Sequence, residues 1–295
     1  MSGTHLKLGS SVKMHYVFVS DIHGQFGKLL DALDKVNFNR DADTLVSLGD
    51  PFDRGAHNLE VLQFLMELPH KILIWGNHDL RLYDLVHDLD AENQYDYHNG
   101  VLETIQSFTG IKKNPSISMG LFYLRDFPHL KPVSELLEKY FKECVYAAEW
   151  SDLIAVHGWI PHHHKKHVVQ TDKLNYHWEY KYWFMSDWRN ANAISWWHAT
   201  WADTEKLIKN KLFPDKKLII GHWHAWRLRY AFDKTPTTDL KELERRALED
   251  KTDFSTYYYE DKLIAIDGCC NAPDGLINTY ILETDETPTL IKEEL

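Results

Sequence analysis

Five short segments of this 295-residue sequence gather residue types that can do chemistry together. They are Asp21-Ile22-His23-Gly24, Gly49-Asp50-Pro51-Phe52-Asp53-Arg54-Gly55, Gly76-Asn77-His78-Asp79, His157-Gly158 and Gly221-His222-Trp223-His224. Carboxylate and imidazole in combination suit borderline divalent cations such as manganese, iron or zinc. With only three Cys in the chain (Cys144, Cys269 and Cys270), a thiolate site is disfavoured. The D-x-H spacing lets Asp21 and His23 project to one side of an extended segment. G-D-x-x-D-R-G packs two carboxylates and a guanidinium into one turn, and its glycines permit tight turns and close backbone approach. Each segment alone has a plainer reading, such as a turn capped by Asp. Their recurrence in one chain points to one assembled site.

Each segment follows a short apolar run, at residues 16–20, 44–48, 71–75, 153–156 and 217–220. Four or five apolar, β-branched-rich residues in a row predict buried strands. Helix-like stretches at 25–36 and 58–68 complete a β-α-β-α-β opening. Open α/β sheets place their ligands at the C-terminal ends of parallel strands, so distant parts of the chain are expected to meet there. Two further strand-like runs, 262–266 and 277–282, close the sequence. The stretches around 85–150 and 160–216 are too long for plain connections. They are expected as a helical insertion and an aromatic-rich cap on a single domain spanning 1–295.

Lys plus Arg total 33 against 44 Asp plus Glu, a formal charge of −11. Counterion release on nucleic acid needs a basic surface, so nucleic-acid binding is not expected. The few, partly adjacent Cys predict a reducing, cytoplasmic setting rather than a disulfide framework. No apolar run approaches a spanning helix and the N-terminal stretch lacks a signal-like core, so no membrane partner is expected. Six of the 11 Trp fall within 178–201. A helical cap packing aromatics on the sheet is the first reading there, and an aromatic wall over the site is the alternative. His162-His163-His164 reads as an exposed polar loop, Cys269-Cys270 as buried inert thiols, and 239–250 as a solvated helix face.

Taken together, D-x-H-G, G-D-x-x-D-R-G, G-N-H-D, H-G and G-H-x-H resemble the calcineurin-like metallophosphoesterases from residue 16 to about 282. G-D-x-x-D-R-G with its Arg is most similar to their phosphoprotein-phosphatase branch, which includes Ser/Thr phosphatases and symmetrical diadenosine tetraphosphatases. The resemblance implies an α/β fold, a four-layer α/β/β/α sandwich with helical insertions, and two divalent metal ions at the strand ends. Manganese is the first choice of metal, with iron or zinc as alternatives. It implies that Asp21 and His23 hold the first metal, that Asp50 bridges both, and that Asn77, His157 and His222 hold the second. His224 departs from that branch, which keeps only the first His of the last pair. The wider superfamily uses the second His on the first metal, so His224 is expected there, or else as a support for a ligand.

Two cations ~3.5–4 Å apart would share a hydroxide and neutralise an in-line phosphoryl displacement. Arg54 would fork onto phosphate oxygens. His78 would protonate the leaving oxygen, and Asp53 would orient its ring or cap a helix. Asp79 is expected to support the site. The branch also takes a second phosphate-binding Arg from mid-chain, for which Arg189 is the candidate and a solvated surface Arg the alternative. The expected substrates are phosphomonoesters, as in a phosphoprotein phosphatase. A dinucleoside polyphosphate or phosphodiester hydrolase is the alternative, and a non-catalytic scaffold for phosphorylated ligands is the third reading.

Overall fold

Side chains alternate along the first strand, β1 (Met14–Val19), and the alternation builds the layers of the fold. Tyr16 and Phe18 join Val46, Leu48, Ile72 and Ile74 in one apolar cluster with Trp150, Ala155, Ile219 and Ile264. Val17 and Val19, on the other face, join a second cluster made with helices. The computed structural model describes residues 13–88, 92–111, 116–170, 176–233 and 252–293. The stretch 239–250, expected as a solvated helix face, lies outside these residues.

β1 is followed by α1 (Phe26–Lys35), β2 (Thr44–Ser47), α2 (Asn58–Glu67), β3 (Lys71–Leu73) and α3 (Asn77–His87). The helices α4 (Gln94–Asn99), α5 (Val101–Thr109), α6 (Ile117–Asp126) and α7 (Lys131–Glu143) come next. Then follow β4 (Ala147–Glu149), β5 (Leu153–Ala155), β6 (His162–Gln170), β7 (Tyr176–Phe184), α8 (Ala193–Thr200) and α9 (Thr204–Lys209). The chain closes with β8 (Lys217–Ile220), α10 (Ala225–Phe232), β9 (Tyr257–Tyr259), β10 (Leu263–Ala265), β11 (Tyr280–Thr284) and β12 (Thr289–Ile291).

Two sheets, ordered β11-β1-β2-β3 and β12-β4-β5-β8-β10-β9, face each other across the first cluster. β1, β2 and β3 run parallel, as do β5, β8 and β10. On the outer faces, Leu29 of α1 and Leu65 of α2 pack in the helix-side cluster, as do Ala199 of α8, Leu207 of α9 and Leu228 of α10. Helix, sheet, sheet and helix layers therefore follow in turn, the α/β/β/α order. Phe18 is fully buried between the sheets, its ring 5.5 Å from Trp150 and 5.8 Å from Tyr280. Phe18→Ala should lower stability by about 3–5 kcal/mol, read by denaturant unfolding.

The structure departs from the sequence-based expectation in the cap. Residues 162–184 form a β-hairpin, β6 paired antiparallel with β7, and not a helical stretch. The order Tyr-His-Trp-Glu-Tyr-Lys-Tyr over 176–182 has period two, which favours a strand. His162-His163-His164 accordingly opens a strand rather than a loop. β4, β9 and β12 are three-residue strands too short to show a period, and the strand expected over 277–282 lies at Tyr280–Thr284. Among the described residues, no helix is long and apolar enough to cross a membrane.

Candidate metal centre

The parallel strands end on the residues singled out above, and their backbone is bent to suit. Six of the ten described non-glycine residues with positive φ are Asp21, His23, Asp50, Asp53, Arg54 and His222. Such conformations cost energy and collect at functional sites. Close approach is equally specific. A Cβ on Gly76 would stand 2.0 Å from Asp50 Oδ1 and 2.5 Å from Asp50 N, so only glycine lets β2 and β3 end side by side. Asp50 Oδ1 accepts from His78 N at 2.9 Å. Asp79 Oδ2 accepts from Asp50 N at 3.0 Å and from Gly76 N at 2.9 Å, while its Oδ1 takes the Tyr140 hydroxyl at 3.0 Å.

Two groups of ligand atoms form around Asp50. His23, Asp50 and His78 make one, and Asp50, His157 and His222 the other, with the ligand atoms of each within 4.8 Å of one another. The imidazoles are oriented for the task. His23 Nδ1 donates to the Phe52 carbonyl at 2.7 Å, and His157 Nδ1 to the Leu48 carbonyl at 2.7 Å. His224 Nδ1 pairs with Asp267 Oδ2 at 2.8 Å. Metal-bound His residues are held in this way, with one nitrogen fixed by a carbonyl or carboxylate so that the other presents its lone pair.

Charge is arranged for cations as well. Burial drives the Asp21 carboxyl up to about 7, with the nearby Asp267 adding to it, and Asp79 rises to about 7 through burial and Asp50. Burial alone would also raise Asp50, but the imidazoles of His157, His78 and His23 hold it well below the usual carboxylate range. His157 answers it: burial lowers its pKa, and Asp50 overrides this and raises it to about 10. A metal ligand must be deprotonated, so a cation bound here would take the place of the His157 proton in neutralising Asp50. Burial and His157 push His222 down to about 3, keeping its ring neutral. The donors present therefore fit divalent metal ions.

The neighbouring turn brings the remaining candidates together. Arg54 reaches His23 Nε2 at 2.8 Å and His78 Nε2 at 2.9 Å with separate guanidinium nitrogens. His78 Nδ1 is 2.7 Å from Asp53 Oδ2, and His157 Nε2 is 2.8 Å from Asn77 Oδ1. Asp21 lies beside the centre, its Oδ1 4.0 Å from His23 Nε2 and its Oδ2 taking the His222 N–H at 2.9 Å. His224 sits apart from both groups, its Nε2 3.6 Å from Cys269 Sγ. Cys269 is half-buried and at that contact, so of the adjacent pair Cys270 alone is buried, its pKa raised by burial.

Arg189 is not brought to the cluster. It forks onto Glu149, Nε to Oε2 at 2.6 Å and Nη2 to Oε1 at 2.5 Å, with Lys216 Nζ also 2.7 Å from Oε1. Glu149 pairs with Ile154 in the antiparallel β4–β5 ladder, so it lies toward the start of β5 rather than the His157 end. The surface-side alternative for Arg189 fits this placement.

Two residues not singled out in the sequence complete the surroundings. Asp267 is buried just beyond β10, a sixth strand ending in Asp-Gly, and that repeat of the pattern is its signal. Thr104 of α5 donates to Asp53 Oδ1 at 2.6 Å and accepts from Asp53 N at 2.9 Å. Nothing in the sequence around Thr104 marks it, since the contact spans 51 positions. The same insertion supplies the Gly100 carbonyl that takes the Arg54 N–H at 3.2 Å. Thr104→Val leaves a buried carboxylate short of one hydrogen bond. It should lower kcat about tenfold, in the range seen when a partner behind a site residue is lost, with circular dichroism unchanged.

A two-sheet sandwich with His and Asp gathered at its parallel strand ends defines a metal-binding class of fold. Residues 14–245 match the calcineurin-like phosphoesterase family, and the chain belongs to that family. It is 39% identical over 88 residues to serine/threonine-protein phosphatase 2 of Salmonella typhimurium, covering 30% of this chain and 40% of that protein. It is 35% identical over 92 residues to the symmetrical bis(5'-nucleosyl)-tetraphosphatase of Buchnera aphidicola, covering 31% of this chain and 33% of that one. The matches thus span less than half the length of these relatives. Among solved structures, a metallophosphoesterase from Sphaerobacter thermophilus aligns over 96% of this chain and 90% of its own at 15% identity, with a TM-score of 0.42.

Proposed function

We propose that the chain is a metal-dependent hydrolase of phosphomonoesters, acting as phosphoprotein phosphatases do. The observation that carries this reading is that Arg54 meets His23 and His78 of one Asp50-centred donor group, with Asp53 held on the far nitrogen of His78. Asp21, His23 and His224 would hold one cation, Asn77, His157 and His222 the other, and Asp50 both. Asp267 fixes His224 Nδ1, and Nε2 would have to turn from Cys269 Sγ, 3.6 Å away, to reach the cation. Two such cations, manganese first and iron or zinc otherwise, supply a water of lowered pKa and neutralise charge on the phosphoryl oxygens. Arg54 exchanges its imidazole contacts for two phosphate oxygens, a bidentate match that Lys makes poorly. Asp53 fixes the His78 ring through Nδ1, so that Nε2 hands its proton to the departing oxygen. Asp79 secures the backbone on which Asp50 stands. The protein would work as a single domain in the cytoplasm, on phosphorylated partners and without nucleic acid or membrane.

A second reading keeps the site and changes the bond, to a dinucleoside polyphosphate or a diester. The relative named as a symmetrical tetraphosphatase and the exposed indoles near His222 favour it. A non-catalytic scaffold needs neither the His78–Asp53 pair nor the Arg54 fork. The test is a manganese-supplemented panel of p-nitrophenyl phosphate, its bis-ester, a phosphopeptide and diadenosine tetraphosphate. Preference for the monoester and phosphopeptide supports the first reading, and preference for the tetraphosphate or bis-ester the second. No turnover of any member with any of the three metals overturns both.

A further inference from the structure

β6 and β7 are nine residues long each and pair with one another, with no third strand beside them among the described residues. An isolated two-stranded sheet is marginally stable in water, and its unpaired edges are open to another chain. One face of the hairpin is anchored at its base, where Tyr182 and Phe184 are half-buried and pack against the helix-side cluster. The alternate cross-strand pairs lie on the other face. His163 stands opposite Trp183 and Lys165 opposite Lys181, and all four are exposed. The rings of His163 and Trp183 are 5.6 Å apart, with Trp183 42% exposed. Like charges directly opposite one another in a ladder are destabilising. Even so, neither Lys165 nor Lys181 has an acidic partner among the described residues, in a chain whose formal charge is −11. A repelling pair left bare on an open sheet marks a place where an anionic partner is expected.

We propose that this hairpin binds an acidic, extended segment of a partner protein, which adds to an open edge as a further strand. The proposal does not depend on which bond is broken at the metal centre. Backbone and charge together choose the occupant. An open edge offers alternating N–H and C=O groups, which a peptide backbone matches and a nucleic acid does not. Asp or Glu at alternate positions of the added strand would face the lysines, and opposite charges across a ladder stabilise it. The exposed Trp183 ring gives the apolar stems of those side chains a surface to cover. A second copy of this chain would bring a second pair of lysines to the same face, so pairing between copies is opposed.

The experiment is fluorescence anisotropy of the full chain with a labelled octapeptide alternating Glu and Thr, and with its Lys-Thr counterpart. The acidic peptide should bind about tenfold or more tightly, and the preference should fade as salt is raised. Lys165→Glu combined with Lys181→Glu keeps like charges opposite each other, so the hairpin itself is no more strained than before. That variant should release the acidic peptide and take up the basic one, an exchange that misfolding does not produce. Methylating every backbone nitrogen of the acidic peptide should abolish binding, because the hydrogen bonds to the edge are lost. Equal affinities for the two peptides, or a preference that the double reversal leaves unchanged, would overturn the docking face. Undiminished binding of the methylated peptide would overturn strand addition. Oligothymidylate bound as tightly as the acidic peptide, and released by the same variant, would give the face to nucleic acid and overturn the protein partner.

Discussion

Asp50→Asn will remove phosphoesterase turnover and most of the bound metal while the protein stays folded. The substitution keeps shape and hydrogen bonding. An Asn oxygen can still accept from His78 N, and the backbone N–H of residue 50 still reaches Asp79. What it removes is the charge around which three imidazoles are arranged, those of His157, His78 and His23. Asp50 also belongs to both donor groups, so one substitution weakens both. Losing a partner that merely orients a ligand costs about 10–100-fold in metal affinity or activity, and losing a shared charged ligand should exceed that range. Metal content by atomic absorption, turnover of p-nitrophenyl phosphate and near-ultraviolet circular dichroism measure the three parts. Full activity in the purified variant would sink the assignment of this site.

Much of this site was legible because its residues sit at strand ends, where local sequence carries both signals. An apolar run marks the strand, and Asp, Asn or His beside Gly marks what the strand delivers. Asp21, Asp50, Asn77, His157 and His222 all carry both signals, and the structure gathers them. Legibility failed where the partner is remote or the element is short. Thr104 holds Asp53 across a helical insertion, and no spacing rule connects them. Arg189 has the expected position along the chain, but the Glu149 carboxylate decides where its guanidinium goes. The hairpin at 162–184 is obscured for another reason: its aromatic content suggests core packing and masks the period of two. Cys269 lacked a basic neighbour in sequence and has His224 as one in space.

His78→Asn should lower kcat by about 10²–10⁴, the usual contribution of a positioned proton donor. The structure leaves two roles for this ring, and the variant separates them. Its Nε2 lies in the first donor group, as a ligand would, while its Nδ1 is fixed by Asp53 at 2.7 Å, as a proton donor would be. Burial lowers its pKa, but Asp50 and Asp53 outweigh that and raise it, which favours a ring that carries a proton at work. In the present arrangement Nε2 faces an Arg54 nitrogen at 2.9 Å. Guanidinium can only donate, so Nε2 accepts here, and Arg54 must turn to the phosphate before Nε2 can hold a proton. Proton donation matters most when the leaving oxygen is a poor leaving group. The loss in His78→Asn should therefore be larger for glycerol 2-phosphate than for p-nitrophenyl phosphate, with metal content retained. A metal content that falls as it does in Asp50→Asn, with equal losses on both substrates, would make His78 a ligand instead.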